Sequence, residues 1–244
     1  MKSLLILGAK SDIAKETAKI FAENGYDLLL VGRGVQKELN SFAGSISETT
    51  AQKITFYDFD ILDQQSVEDF FQKLDTIPDG IISFVGVLGD HQEATRDFVV
   101  AEKILNTNFT KIIQILDYFA NQFEARESGF IIGVSSVAGE RGRQSNYYYG
   151  AAKAAFTTYL SGLRNRLFKY NVHVMTVIPG YVNTKMTAGM DLPNWLTVSP
   201  YYVAKKIFKA QKKKKDIIFI SNLWRLIMGV ISIIPERIFK KLNL

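Results

Sequence analysis

Residues 2–33 read KSLLILGAKSDIAKETAKIFAENGYDLLLVGR, and this stretch decides the fold class. An apolar run at Lys2–Leu7 leads directly into a glycine, and the next residues carry apolar side chains at the spacing of one helix face. Gly25 is a natural helix stop, and a second apolar run follows at Tyr26–Val31. The stretch therefore predicts a strand, a tight turn, a helix and a second strand.

The turn between the first strand and the helix reads GAKSDIA, residues 8–14. A glycine at position 8 lets the backbone turn and approach a phosphate closely. The free N–H groups and the dipole of the following helix favour an anion there, and Ser11 or Asp12 could cap the helix. A βαβ unit of this kind is a dinucleotide-binding arrangement. The predicted cofactor contacts in the turn are Gly8, Lys10, Ser11, Asp12 and Ile13.

Further short apolar runs follow along the chain, separated by helical patterns. Most of these runs lack period-two alternation, which is typical of strands covered on both faces. We predict one doubly wound parallel sheet of about seven strands, of Rossmann type, with helices on both faces and a C-terminal apolar helical extension. The expected ranges are 1–222 for the sheet domain and 223–244 for the extension. The expected strands are 4–7, 27–31, 54–57, 81–85, 130–134, 172–178 and 217–220.

The amino-acid composition limits which classes of protein and which kinds of site need consideration. The chain has 244 residues, 47% of them hydrophobic, which suits one large α/β domain. It has no cysteine, so disulfides and thiolate zinc sites are excluded and a reducing, cytoplasmic location is expected. The predicted first strand begins almost at Met1, so we expect no signal peptide before it. We expect His173 to be structural, His91 to lie in a solvated loop and no metal to be bound.

The stretch SSVAGERGRQSNYYYGAAK, residues 135–153, carries the candidate chemistry. Tyr149 and Lys153 are four residues apart in an alanine-rich segment, so a helix would place both on one face. A nearby ammonium favours the phenolate, and we expect it to lower the pKa of Tyr149 and make a general acid/base. Ser136 follows an apolar run and would present its hydroxyl at a strand end.

These residues resemble the short-chain dehydrogenase/reductase family, in the Ser-Tyr-Lys spacing and in the glycine turn near the N-terminus. The resemblance covers essentially the whole chain. It implies hydride transfer between a nicotinamide and a carbonyl or alcohol carbon, with Tyr149 moving the proton and Ser136 stabilising the oxyanion. Lys153 would bond the nicotinamide ribose, and Asn108 in LNTNFT would support a proton-relaying water. Further implied cofactor contacts are Asp60, Ile61, Gly86, Pro179, Gly180, Val182 and Thr184, together with Tyr149 and Lys153.

Two segments depart from the family pattern. The second and third glycines of the turn are replaced by Asp12 and Ala14, and the usual Asn-Ala-Gly reads Phe84-Val85-Gly86. These substitutions suggest a divergent subgroup, similar to reductases that act on polyprenyl-phosphate sugars. An alternative is a dinucleotide-binding sensor or scaffold without catalysis, although a scaffold has no need of all four active-site residue types.

The cofactor preference is predicted from the end of the second strand. An NAD enzyme usually has an acid there that binds the ribose 2′-hydroxyl. This chain has Gly32 and then Arg33, whose guanidinium can pair with a 2′-phosphate, and Lys10 could add a second charge. We therefore expect NADP(H) as the cofactor.

The tail holds the excess of positive charge. Residues 201–244 contain eleven Lys or Arg and two acids, whereas the first 200 residues carry a net charge of −3. Trp224 and an apolar cluster up to Ile234 precede Arg237, Lys240 and Lys241, and the run is too short to span a bilayer. The open roles are a peripheral contact with the inner membrane face, in which Trp224 would be the aromatic anchor, packing on the protein's own sheet, and dimerisation. Nucleic acid is disfavoured because the apolar residues are clustered.

The expected partners follow from the same features. Segment 185–196, a lid over the substrate in the family, contains Met186, Met190, Leu192 and Trp195, which suggests an apolar or amphipathic ligand. We expect a small-molecule or lipid-linked carbonyl substrate, no nucleic acid, and a homo-oligomer.

Overall fold

The computed structural model describes residues 2–242. The first residue of the predicted sheet domain, Met1, and the last two of the predicted extension, Asn243 and Leu244, lie outside the described residues. Within residues 2–242, seven parallel strands form one sheet, which confirms the predicted fold class. Two further strands, of two residues each, pair separately. The strands are β1 Lys2–Leu7, β2 Tyr26–Gly32, β3 Ile54–Asp58, β4 Gly80–Ser83, β5 Gly129–Val134, β6 Val172–Ile178, β7 Tyr181–Val182, β8 Thr197–Val198 and β9 Ile217–Phe219.

Helices connect the strands and cover both faces of the sheet. A π-helical turn at Asn106–Thr110 links two of them, and short 3₁₀ turns lie at Val137–Gly139, Lys185–Thr187 and Asn194–Leu196. The helices are α1 Asp12–Glu23, α2 Val35–Ser47, α3 Gln64–Gln72, α4 His91–Ala94, α5 Phe98–Leu105, α6 Lys111–Ala125, α7 Tyr147–Leu167, α8 Pro200–Lys212, α9 Asn222–Ile233 and α10 Glu236–Phe239.

The two layers of core explain why the strands are apolar at consecutive positions. In β1, Leu4 and Ile6 belong to one buried cluster, and Leu5 and Leu7 belong to the other. Successive side chains of a strand point to opposite faces, so a strand covered on both sides needs apolar residues throughout.

The strand order creates the crevice in which a site can form. The sheet reads β3-β2-β1-β4-β5-β6-β9, so the direction of winding reverses between β1 and β4. Ligands of open α/β sheets bind outside the carboxyl ends of the strands at such a reversal. The predicted fourth strand starts one residue late and extends two residues past the observed end, because β4 ends at Ser83 and the chain then turns along this crevice.

The apolar extension forms helix α9, which uses one face for packing and exposes the other. Trp224 and Met228 are 4% and 2% exposed and pack with Val137 and Ile178. The expectation that Trp224 anchors the tail in a membrane is therefore wrong, because its indole is buried. Apolar side chains remain exposed on the outer face: Leu223, Leu226, Val230 and Ile233.

Arg141 attaches the end of this extension to the loop that follows β5. Its guanidinium donates to the carbonyl of Ile234 at 2.7 Å and pairs with Glu236 at 3.0 Å. It also lies 3.6 Å from the ring centre of Phe239. The last carbonyls of a helix have no partner within the helix. The Arg141 side chain supplies hydrogen-bond donors to them at the end of α9.

None of the helices in residues 2–242 combines the length and hydropathy needed to cross a membrane.

The sequence predicts His91 in a solvated loop, and this prediction is wrong. His91 is the first residue of α4, and the centre of its ring lies 4.3 Å from that of Tyr147.

Candidate active site

A cavity of about 880 Å³ opens at the carboxyl ends of β1, β4 and β5. With the exception of Asn108, every site residue predicted from the sequence lines it. Those residues are Gly8, Lys10, Ser11, Asp12, Ile13, Arg33, Asp60, Ile61, Gly86, Ser136, Tyr149, Lys153, Pro179, Gly180, Val182 and Thr184.

The turn after β1 depends on Gly8. Its φ of +80° lies in the left-handed region, and a Cβ there would come within 3.0 Å of the Val85 backbone nitrogen. The position therefore needs glycine for both conformation and space. The predicted cap is wrong: Ser11 occupies the N-cap position of α1 without a side-chain capping bond. Asp12 instead accepts a hydrogen bond from the Lys185 backbone N–H at 2.8 Å.

Basic side chains stand where the first two strands end, and both have acidic partners. Lys10 lies 2.6 Å from Glu38 of α2, and this interaction lowers the pKa of the Glu38 carboxyl. Arg33 lies 3.6 Å from Asp60 and is 69% exposed. The longer separation and the exposure leave the Arg33 guanidinium available to a ligand anion.

Ser136, Tyr149 and Lys153 meet because the loop after β5 packs tightly on α7. A Cβ at Gly139 would lie 2.7 Å from the Ala154 backbone nitrogen, so the approach of loop and helix requires glycine. Lys153 is 3% exposed, and its ammonium donates to the Val134 carbonyl at 3.2 Å. The same ammonium lies 5.7 Å from the centre of the Tyr149 ring.

Burial controls the protonation of this pair. It raises the pKa of Tyr149 to about 12, and the Ser136 hydroxyl, as a hydrogen-bond partner, lowers that pKa in part. Burial also lowers the pKa of Lys153 to about 8. The expected lowering of the Tyr149 pKa is therefore wrong for this arrangement, because desolvation of the phenolate exceeds the lowering by the Ser136 hydroxyl. A protonated phenol at neutral pH is a proton donor, which suits reduction of a carbonyl.

Asn108 is fully buried in the π-helical turn, behind the cavity wall. Its amide donates to the carbonyls of Val87 and Ile104 at 2.7 and 2.8 Å, and accepts from the Val87 N–H at 3.2 Å. A Cβ at Gly86 would lie 3.0 Å from the Asn108 oxygen. The side chain therefore holds the chain after β4 in place.

The segment after β6 rests on the C-terminal extension. A Cβ at Gly180 would lie 2.0 Å from Trp224 Nε1, and this indole donates to the Leu196 carbonyl at 3.1 Å. Near the start of the lid, the Thr187 hydroxyl donates to the Val182 carbonyl at 2.6 Å. Tail, segment and lid thus form one wall of the cavity.

A sequence profile of the short chain dehydrogenases matches residues 2–194, which include the glycine turn, Asn108 and the Ser136, Tyr149 and Lys153 set. This chain belongs to the short-chain dehydrogenase family. The expected family is therefore confirmed, and the protein is an oxidoreductase of that family. The match says nothing about the expected polyprenyl-phosphate sugar subgroup.

Relatives of this short-chain dehydrogenase extend over nearly its full length. An uncharacterized oxidoreductase of Mycobacterium tuberculosis is 28% identical over 98% of this chain and 96% of its own. A short-chain dehydrogenase from Sphingobium yanoikuyae, solved with NADPH, shares the fold at a TM-score of 0.83, with 21% identity and 97% of both chains covered. A Brucella melitensis 3-oxoacyl-[acyl-carrier protein] reductase with bound NAD has a TM-score of 0.78 and 16% identity, covering 89% and 88%.

The residues present fit the dinucleotide that short-chain dehydrogenases use. Gly8 and Gly86 leave open the positions that a Cβ would fill beside Val85 and Asn108. The N-terminus of α1 faces the same cavity, and basic side chains stand at its β2 end. The Asp12 carboxylate is the one negative group in the turn that does not suit a phosphate. It is engaged instead by the backbone N–H of Lys185 in the lid.

Sequence reasoning missed the wall formed by the loop between Ser136 and Tyr149. Arg143 and Asn146 line the cavity there, and Lys103 and Thr107 line it from the region of α5. The position of Arg143 between two predicted catalytic residues was the available signal. The sequence does not predict where the Arg143 side chain points, because a loop has no periodicity that assigns its side chains to a face.

Proposed function

We propose that this short-chain dehydrogenase is an NADP(H)-dependent carbonyl reductase, or alcohol dehydrogenase in the reverse direction, in which Tyr149 is the general acid/base. The convergence of Ser136, Tyr149 and Lys153 on a cavity that also contains the glycine turn carries this proposal. The nicotinamide cofactor would supply or accept the hydride. Tyr149 would give its proton to the substrate oxygen, and the Ser136 hydroxyl would hold that oxygen.

Lys153 has a supporting role in the proposed reaction. Its ammonium is held by two backbone carbonyls, at 3.2 Å and 3.5 Å, close to the Tyr149 ring. It would favour the phenolate that forms after proton transfer and bond the nicotinamide ribose. Asn108 would act as a positioning residue, since its amide fixes the chain after β4.

Tyr149→Phe is the direct test of the mechanism. NADPH oxidation is followed with a panel of ketones, and cofactor binding is measured separately by fluorescence. The variant should lose roughly 10²-fold or more in turnover, which is the scale of general acid/base catalysis, while cofactor still binds. Tyr148→Phe is the matched control. Unchanged turnover in Tyr149→Phe would overturn the assignment, and cofactor binding without any turnover in the wild type would favour a sensor or scaffold.

NADP(H) rather than NAD(H) is part of the proposal. Arg33 and Lys10 support it, because both lie on the cavity wall near the end of β2 and no acid replaces Gly32. The relatives with solved structures include one with NADPH and one with NAD, so the preference must come from this chain's own residues.

The proposed substrate is an amphipathic or lipid-linked carbonyl compound, such as a polyprenyl-phosphate keto-sugar, reduced at the cytoplasmic face of a membrane. Exposed apolar residues of the lid and of α9 support this, with Trp195 71% and Leu226 66% exposed. The basic residues Arg237, Lys240 and Lys241 would face anionic lipid. We propose that the protein is a homo-oligomer, as the family resemblance implies.

A further inference from the structure

Arg143 is a cation in the cavity wall for which the proposed reaction gives no role. It lies in the loop between Ser136 and Tyr149, together with Ser145 and Asn146, and all five residues line the cavity. Because the proposed catalytic hydroxyls stand on either side of this loop, Arg143 borders the place where the substrate carbonyl would be held.

Within residues 2–242, the guanidinium of Arg143 has no anionic partner. Its Nη2 contacts the thioether sulfur of Met228 at 3.2 Å, which is a weak acceptor. Its Nε and the Asn146 Oδ1 are both buried, and within residues 2–242 neither has a hydrogen-bond partner. In the same part of the chain, no carboxylate lies within 4.0 Å of it. Buried polar groups are normally paired, so a ligand in the cavity could supply the hydrogen bonds that these two atoms lack within the described residues.

Two residues earlier, Arg141 shows the contrast. It pairs with Glu236 and donates to carbonyls at the end of α9, so this loop can satisfy an arginine from the protein itself. That Arg143 lacks an anionic partner within the described residues therefore does not follow from a general lack of acceptors in the region.

The cofactor phosphates do not account for Arg143. The glycine turn follows β1 and Arg33 follows β2, whereas the Arg143 loop follows β5, which is three strands from β2 in the sheet. At about 4.8 Å per strand, β5 is roughly 10 Å from β1, which leads into the glycine turn, and roughly 14 Å from β2. Met228, which Arg143 contacts, belongs to α9, which packs beyond β6.

We propose that Arg143, with Asn146 beside it, binds an acidic group of the substrate, a carboxylate or a phosphate, within a few bonds of the carbonyl that is reduced. A guanidinium presents paired N–H donors that match either group. Since Asn146 offers amide donors beside its unpaired oxygen, it can serve both the acid and a neighbouring hydroxyl. This inference rests on the proposed function, because it places the acid next to Ser136 and Tyr149.

The test uses two matched pairs of carbonyl compounds. Acetoacetate is compared with methyl acetoacetate, and dihydroxyacetone phosphate with dihydroxyacetone, so that each pair differs by one acidic group. Binding is measured by thermal shift and calorimetry on the full chain, without cofactor and with NADP⁺, and turnover of the same compounds is measured with NADPH. We expect the anionic member of at least one pair to bind at least tenfold more tightly and to have the lower KM.

Arg143→Met and Arg143→Lys are the variants. Methionine keeps the length of the side chain and should reduce the ratio between paired ligands to near one, whereas lysine should retain part of it. The ratio is the readout because a general loss of folding would weaken both members alike. Equal binding of both members of both pairs, including no binding of any, or a preference that survives in Arg143→Met, overturns the proposal.

Failure of this proposal is distinguishable from failure of the proposed function. Tight binding of an acid through Arg143 without turnover would support the inference and count against the proposed reaction. Turnover without a preference for the acid would support the proposed reaction and count against the inference about Arg143. The pair that responds separates a carboxylate from a phosphate as the recognised group.

Discussion

The Asp12 carboxylate accepts a hydrogen bond of 2.8 Å from the backbone N–H of Lys185, 173 residues further along the chain. Asp12 occupies a glycine position of the family turn, and Lys185 begins the lid. A side chain at a place where the family usually has none thus links two edges of the candidate cofactor cavity.

Asp12→Ala should loosen the lid. Loss of one hydrogen bond, worth about 1 kcal/mol, should speed amide exchange at Lys185 by roughly fivefold to tenfold and accelerate trypsin cleavage after this residue. Hydrogen exchange of the cofactor-free protein measures the effect. Asp12→Asn keeps an acceptor oxygen and should restore most of the protection, and Glu16→Ala on the same helix is the control. Unaltered exchange in Asp12→Ala would show that the bond does not hold the lid.

Arg33→Ala should weaken NADPH binding by about tenfold or more and leave NADH binding nearly unchanged, because a charge-assisted bond to the 2′-phosphate is lost. Isothermal titration with both cofactors measures the difference. Lys37→Ala removes an exposed charge from the adjoining helix and is the control. Equal affinities of the wild type for NADH and NADPH would contradict the preference.

Glu38→Gln tests the second charge of the same subsite. Glu38 now holds the Lys10 ammonium at 2.6 Å, so removing its charge should free Lys10 for the phosphate. We expect tighter NADPH binding in this variant, measured by the same titration. Weaker binding would mean that Glu38 positions Lys10 and does not compete for it.

Lys153 should make stability depend on pH. Its pKa falls from 10.5 to about 8 on folding, so the unfolded chain binds more protons between these values. Stability from this group therefore rises as pH increases through about 8 to 10.5, and the buried charge is destabilising below pH 8. At pH 7, Lys153→Met should raise the free energy of unfolding by roughly 1 to 3 kcal/mol, measured by urea denaturation. The same variant should lose activity. The gain should disappear above pH 10, and a variant less stable at every pH would refute the assignment.

The outer face of α9 should decide whether the protein binds lipid. Leu226→Ser with Val230→Ser changes two exposed positions and leaves the buried Trp224 and Met228 in place. We expect the wild type to cosediment with anionic liposomes at low salt and less at high salt, and the double variant to bind much less. Phe168→Ser, at another exposed apolar position, is the control. Concentration-dependent association without liposome binding would assign the face to a second copy of the chain.

Much of this structure was predictable because its signals are local. Continuous apolar runs identify buried parallel strands, and the spacing of Tyr149 and Lys153 places them on one helix face. Sequence does not report desolvation, so the direction of the Tyr149 pKa shift was predicted wrongly. The burial of Trp224 depends on a contact with Gly180, 44 residues away, which no periodic pattern encodes. The roles of the lining residues remain predictions.

The contact between Gly180 and Trp224 also limits how this protein can diverge. Any side chain at 180 would occupy the space of the indole, and a smaller residue at 224 would leave a hole beside the candidate active-site cavity. Neither position can change first without cost, so substitutions should be fixed together in homologous lineages. A search for new substrate specificity by laboratory evolution would explore this wall more productively by randomising both positions in one library than by single-site saturation.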